Sequence, residues 1–279
     1  CPEAVAINAC NTVIAGVVYP TSMFSAMLYL FRNDRTTLVV GSVITPCFNS
    51  FPWYFFLKGP LVGNMLSFAI IPSVCVLFVL LCRRATRKTS YIATFTCLAL
   101  IACAALGLAQ PNGLFTFYVF ATAFLWHELR SNLAKRYESG GISKAKKLLF
   151  SFAFIAVAVG IWAIALNLPA LQNIVTFQYD RDNGLGLFNT LYDTLSLGLV
   201  ASYPQWFLAA LALIGILIFV ARRDILLLFP PAFFAIAYYC ARAFSNPFPR
   251  QYIAGFWYSD PVRLAACLTI FLTPFVSLG

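Results

Sequence analysis

KAKKLLFSFAFIAVAVGIWAIALNL, residues 144–168, decides the fold class. From Leu148 to Leu168 it contains no charged side chain, and it is close to the roughly 20 apolar residues that a helix needs to cross a bilayer. Lys144, Lys146 and Lys147 stand immediately before it. The same alternation recurs along the chain, with apolar runs such as Tyr91 to Ala109 and Ile225 to Ala241. Of the 19 Lys and Arg residues, all but five lie in four clusters between such runs. These are Arg32 with Arg35; Arg83, Arg84, Arg87 and Lys88; Arg130, Lys135, Arg136, Lys144, Lys146 and Lys147; and Arg222 with Arg223. With 61% hydrophobic and 10% charged residues, the chain fits a polytopic membrane protein and not a soluble domain.

Working outward from that run, spans are expected at 6–30, 37–51, 62–82, 90–109, 114–129, 148–168, 205–221, 225–241 and 264–279. The expected fold is an all-α, polytopic integral membrane bundle of about nine transmembrane helices, forming a single domain over residues 1–279. Every basic cluster then falls on one side, which the positive-inside rule makes cytoplasmic and which contains the loop 130–147. With Asp34, Glu128, Glu138 and Asp224, that side carries the whole net charge of +10. The other side holds the loop 169–204 and balances Lys58, Arg181, Arg242, Arg250 and Arg263 against Glu3, Asp180, Asp182, Asp193 and Asp260. The basic balance therefore concerns orientation in a plasma membrane and contact with anionic lipid, and nucleic acid is not an expected partner. The termini read as cut ends, so an internal fragment of a larger protein is expected.

The cysteines lie mostly inside apolar runs, their spacings match no zinc pattern, and the single His, His127, is remote from them. They read as small buried hydrophobes. The segment Tyr179 to Gly184 places Asp180 and Asp182 two residues apart, but it misses the calcium-loop spacing, so no metal or other cofactor is assigned. His127 to Glu138 reads as a continuation of the fifth span beyond the membrane, ended by Gly140 and Gly141.

Two external segments stand out. Phe51 to Pro60 is aromatic and broken by Pro52 and Pro60, so it is expected to lie in the interface or to re-enter the membrane. It reads either as an aromatic anchor for a turn or as a shelf, through Trp53 and Tyr54, for a sugar ring or lipid chain, with Lys58 near a phosphate. Asn246 to Arg263 leads into the last span. Asp260 before Pro261 suits an N-cap, and Arg263 projects from the same turn, which permits an i, i+3 ion pair. The same residues also suit an anion site, with Arg250 and Arg263 flanking Trp257 and Tyr258. Between spans four and five, Gln110 and Asn112 sit in a Pro-Gly turn and are candidate cavity-lining residues.

Four segments in order carry a resemblance: Phe51-Pro52-Trp53 with Gly59-Pro60 and Asn64; Ile71-Pro72; Gln110-Pro111-Asn112; and Trp257 to Ala266. Together they resemble an uncharacterised actinobacterial family of large multi-spanning membrane proteins, in which the third segment usually begins with His where this chain has Gln110. That family in turn resembles C-type glycosyltransferases. The resemblance implies a polyprenyl-phosphate-linked sugar donor, a glycan acceptor and a role in building the cell envelope. It implies a donor phosphate held by Arg263, Arg250 and Lys58, and sugar contacts from Trp53, Tyr54, Gln110, Asn112, Trp257 and Tyr258. The principal carboxylate of such enzymes usually follows the first span and is expected outside this chain, leaving Asp260 as a weak catalytic candidate. A transporter or lipid flippase, and a non-catalytic envelope assembly protein, are the alternatives, although the spans are nearly free of the charges that ion coupling uses.

Overall fold

Among the described residues every regular element is helical. A computed structural model describes residues 2–59, 61–85, 92–177, 185–201, 203–222 and 225–279. In chain order the helices are α1 (Pro2–Leu30), α2 (Arg35–Ile44), α3 (Tyr54–Lys58), α4 (Val62–Ala85), α5 (Ile92–Ala109), α6 (Pro111–Glu138), α7 (Lys144–Asn167), α8 (Pro169–Val175), α9 (Leu187–Leu195), α10 (Trp206–Ala221), α11 (Phe229–Ala243) and α12 (Pro261–Leu278). Short 3-10 and π turns join several of them. Among the described residues four helices are long and apolar enough to cross a membrane: α1, α4 over Val62–Arg83, α7 and α12. In α5 the stretch Thr96–Ala109, and in α10 the whole helix, are apolar but shorter.

α7 and α12 occupy opposite environments. The apolar window of α7 buries nothing inside the protein, and Phe152, Val157, Ile161 and Ile164 are all exposed. Such an apolar surface suits hydrocarbon rather than water. Among the described residues, Trp162 Nε1 donates to the Tyr252 carbonyl at 3.0 Å and the Tyr118 hydroxyl donates to the Ala158 carbonyl at 2.8 Å, tying α7 to the bundle. α12, by contrast, is buried along almost its whole length and packs against α2, α10 and α11. Close approach to α10 depends on Gly215, where a Cβ would stand 2.0 Å from the Phe275 carbonyl oxygen.

The stretch 37–51 is not one continuous helix. α2 stops at Ile44, and its ten residues rise about 15 Å, half the thickness of a hydrocarbon core. A 3-10 turn at Thr45–Cys47 and a π turn at Asn49–Trp53 follow, with a cis Phe51-Pro52 bond. Irregular backbone needs its polar groups satisfied by protein. Gln205 does this, donating to the Cys47 carbonyl at 2.9 Å and accepting from the Asn49 N–H at 3.2 Å, while Trp53 Nε1 donates to the Pro46 carbonyl. Phe48, Phe51 and Phe55 are fully buried, and Phe51 meets Tyr19, Phe55 and Phe68 edge to face. Most of this segment's aromatic character thus belongs to the core, and only its Trp53 end is an exposed aromatic surface.

Proline inside α4 is accommodated by a neighbour. Pro72 supplies no N–H, and next to it the Ser73 N–H donates to Ser22 Oγ on α1 at 3.0 Å. Gln110 to Gly113 is not a free turn: Gln110 precedes α6, Pro111 takes the first helical position, and Asn112 and Gly113 are buried in the first turn. The continuation of α6 through Glu138 agrees with the sequence reading. Gly140, at φ +74°, ends it as the Gly141 N–H bonds back to the Arg136 carbonyl at 2.8 Å. Of the expected loop 169–204, α8 and α9 form helices, while Tyr179 to Gly184, with Asp180 and Asp182, lies outside the described residues. The described cysteines carry no disulfide.

Candidate functional site

Three segments far apart in sequence meet at the end of the bundle where α4, α6 and α12 begin. Asp260 is the N-cap of α12, its Oδ1 accepting from the Val262 N–H at 3.0 Å. Arg263, one turn on, places Nε 3.6 Å from Asp260 Oδ2. The local cap and the i, i+3 pair are thus both present. The sequence gives no sign of the third member: Lys58, at the end of α3, brings Nζ to 2.9 Å from each Asp260 oxygen across 202 positions of chain. Asp260 is only 1% exposed at its side chain, against 10% for Lys58 and 13% for Arg263. Among these three side chains, one carboxylate thus faces two cations in a largely dry site.

Around this group the predicted polar residues gather. The Arg263 guanidinium lies over the Tyr258 ring, 4.1 Å from its centroid. Gln110 Nε2 reaches the Tyr258 hydroxyl at 3.4 Å. Asn112 Nδ2 donates to Asn64 Oδ1 at 2.7 Å, joining the first turns of α6 and α4. Close helix approach there relies on Gly113, where a Cβ would fall 1.9 Å from Ser67 Oγ. Asn112 Oδ1 is buried with no hydrogen-bond partner among the described residues. Arg250 joins through its loop, its carbonyl accepting from Ser259 Oγ at 3.5 Å, and its buried Nε has no hydrogen-bond partner among the described residues.

The loop that delivers Asp260 holds two consecutive non-glycine residues in the left-handed region, Tyr258 at φ +60° and Ser259 at φ +49°. Each costs about 1–3 kcal/mol, a cost retained where surrounding contacts over-determine the backbone. Those contacts are bonds from the Tyr258, Ser259 and Asp260 N–H groups to the Gly255, Ala254 and Trp257 carbonyls at 2.8, 3.1 and 3.0 Å. Trp257 itself is fully buried, with Nε1 donating to Thr116 Oγ1 at 2.9 Å and its ring against Phe234. Trp257 is thus an anchor of the loop, not an open sugar platform, because its only polar atom is already satisfied inside the protein. Trp53, stacked on Phe56, is half exposed, and Tyr54 is partly buried.

A second polar group at the same end involves Asp193 of α9, buried and accepting from the Tyr238 hydroxyl of α11. Burial pushes the Asp193 carboxyl above the usual carboxylate range, with the Tyr238 hydrogen bond and the nearby charge of Arg242 pulling it down. Tyr54 also lies near Tyr238, and it shares α3 with Lys58, one turn away, so α3 links the two groups. Positive φ recurs here too, at Leu197 and Leu199. In the sequence Asp193 falls in the loop 169–204, and Tyr238 is one of two adjacent tyrosines in an apolar run. Its only signal was a polar atom where none was needed.

No curated protein and no solved structure matches the chain. A family described only as of unknown function matches residues 3–279, including the turns that carry Lys58, Gln110 and Asp260. The chain belongs to that family of unknown function, DUF6541.

Proposed function

We propose that this protein is a plasma-membrane glycosyltransferase of the C-type kind, taking sugar from a polyprenyl-phosphate donor on the external face during assembly of an envelope glycan. The observation that supports this best is the convergence of Lys58, Asp260, Arg263, Tyr258 and Gln110 on one strained turn at one end of the bundle. A cationic group beside aromatic and amide side chains suits a phosphate next to a sugar. In the nine-crossing arrangement, the shorter α5, α10 and α11 and the broken α2 unit complete the count with α1, α4, α6, α7 and α12. This arrangement places the group outside the membrane and the basic clusters inside.

In the proposed reaction the acceptor hydroxyl attacks the anomeric carbon, the bond from that carbon to the phosphate oxygen breaks, and polyprenyl phosphate leaves with its charge facing Arg263 and Arg250. The hydroxyl proton passes to a carboxylate. Asp260 is committed to a cap and two cations, so Asp193, with its raised proton affinity, is the better base within this chain. Buried charged side chains among the described residues are Asp193 and Asp260, and neither lies in the middle of a long span, which disfavours an ion-coupled transporter.

The test supplies full-length protein in liposomes with radiolabelled polyprenyl-phosphate sugar and an acceptor glycan. Transfer should fall at least tenfold in both Arg263→Ala and Arg250→Ala, and by about 10²–10⁴ in Asp193→Asn if it is the base. Wild-type transfer that survives both arginine substitutions would remove the proposed phosphate site.

A further inference from the structure

At the opposite end of the bundle a cavity of about 620 Å³ opens among α1, α4, α6, α10 and α12. That volume falls within the roughly 300–1,000 Å³ usual for small-molecule sites. Its depth is apolar, walled by Met23, Val79, Phe120 and Phe271. Pro72 and Pro274 also line it, each inside a helix whose hydrogen-bond ladder a proline interrupts. The rim is different: Arg32, Arg83 and Arg222 come from the ends of separate helices, and His127 from within α6.

Three of the four basic clusters are thus represented around one opening, whereas in sequence they indicate only orientation and general contact with anionic lipid. Arg83 is held in position by the Tyr29 hydroxyl at 2.7 Å and by Glu128 at 3.3 Å. Among the described residues, the acidic groups near this rim are Glu128 and Asp34, which lies near Arg222. Among the described side chains, three arginines stand against two carboxylates at this rim. The carboxyl-terminal ends of α1, α4 and α10 reach this rim, so each helix dipole is already matched by an arginine there.

We propose that this cavity binds an anionic membrane phospholipid, its phosphate at Arg32, Arg83 and Arg222 and one acyl chain between the helices. An apolar depth with a cationic rim fits an amphiphile. A free phosphate would leave the depth unfilled, and a zwitterionic lipid would bring a second cation to a cationic rim. Basic pockets between helices on the cytoplasmic side meet the leaflet rich in anionic headgroups. The site is remote from the Lys58–Asp260–Arg263 group and does not depend on the transferase reading.

Full-length protein in phosphatidylcholine nanodiscs would be titrated with spin-labelled phosphatidylglycerol, with spin-labelled phosphatidylcholine and inorganic phosphate as separate arms. Saturable immobilisation of phosphatidylglycerol alone is expected. It should weaken about tenfold in the Arg32→Gln/Arg222→Gln double variant, whose exposed side chains leave packing intact, and vanish in Ala123→Trp, which fills the cavity. Equal immobilisation of the two lipids, displacement of phosphatidylglycerol by stoichiometric inorganic phosphate, or binding unchanged in both variants would overturn the proposal.

Discussion

Asp260 joins three roles in one side chain: cap of α12, partner of Arg263 and partner of Lys58. The first two were legible because they are local, fixed by an Asp-Pro pair and one helical turn. Lys58 was visible as a residue but not as a partner, since a contact over 202 positions leaves no periodic trace. Asp260→Asn should retain the cap, because Asn is an equally good one. It would remove the carboxylate that faces two largely buried cations, and a loss of about 3 kcal/mol is expected in thermal unfolding in detergent. Adding Lys58→Met to Asp260→Asn should recover part of that loss; a double variant less stable than the single would show that Lys58 contributes packing rather than charge. Asp193 yields a pH prediction. Its folded-state proton affinity is raised, so the folded state holds more protons than the unfolded state, and stability falls as pH rises through the raised value. Melting temperatures measured from about pH 4 upward should show this decline in the wild type and not in Asp193→Asn.

Among the helices, the apolar runs predicted helical structure well and packing poorly. Residues 148–168 and 264–279 read alike, yet α7 buries nothing along its apolar window and α12 is almost wholly interior. Composition gives no sign of this difference, because hydrocarbon and protein interior select the same side chains. Glycine separates them. A Cβ at Gly215 would strike the Phe275 carbonyl, whereas one at Gly160 of α7 would meet nothing within 4 Å. Gly215→Ala should therefore cost about 2 kcal/mol through overpacking of α10 on α12, while Gly160→Ala should stabilise by a few tenths to 1 kcal/mol through helix propensity. Unfolding midpoints of the two variants would test this, and similar midpoints would contradict the packing of α10 on α12. The break after Ile44 was also hidden in the sequence, where Pro46 and Pro52 flank a stretch of only five residues with Asn49 and Ser50 at its centre. The bonds from Gln205 that stabilise the break come from a residue more than 150 positions away.

For the whole molecule, the alternation of basic clusters and apolar runs describes a bundle with two chemically distinct ends. Arg32, Arg83 and Arg222 share one opening, and Lys58, Asp260 and Arg263 share the other end. Both proposed ligands carry a phosphate, and the orientation decides which leaflet each end meets. That orientation is the central claim, and impermeant maleimide labelling in intact cells tests it most directly. Asn246 is exposed beside the Asp260 loop, and Ser143 precedes α7 among the lysines. Above the background of the unaltered chain, label should reach Asn246→Cys at once and Ser143→Cys only after the membrane is permeabilised. Labelling of Ser143→Cys but not Asn246→Cys in intact cells would contradict the account.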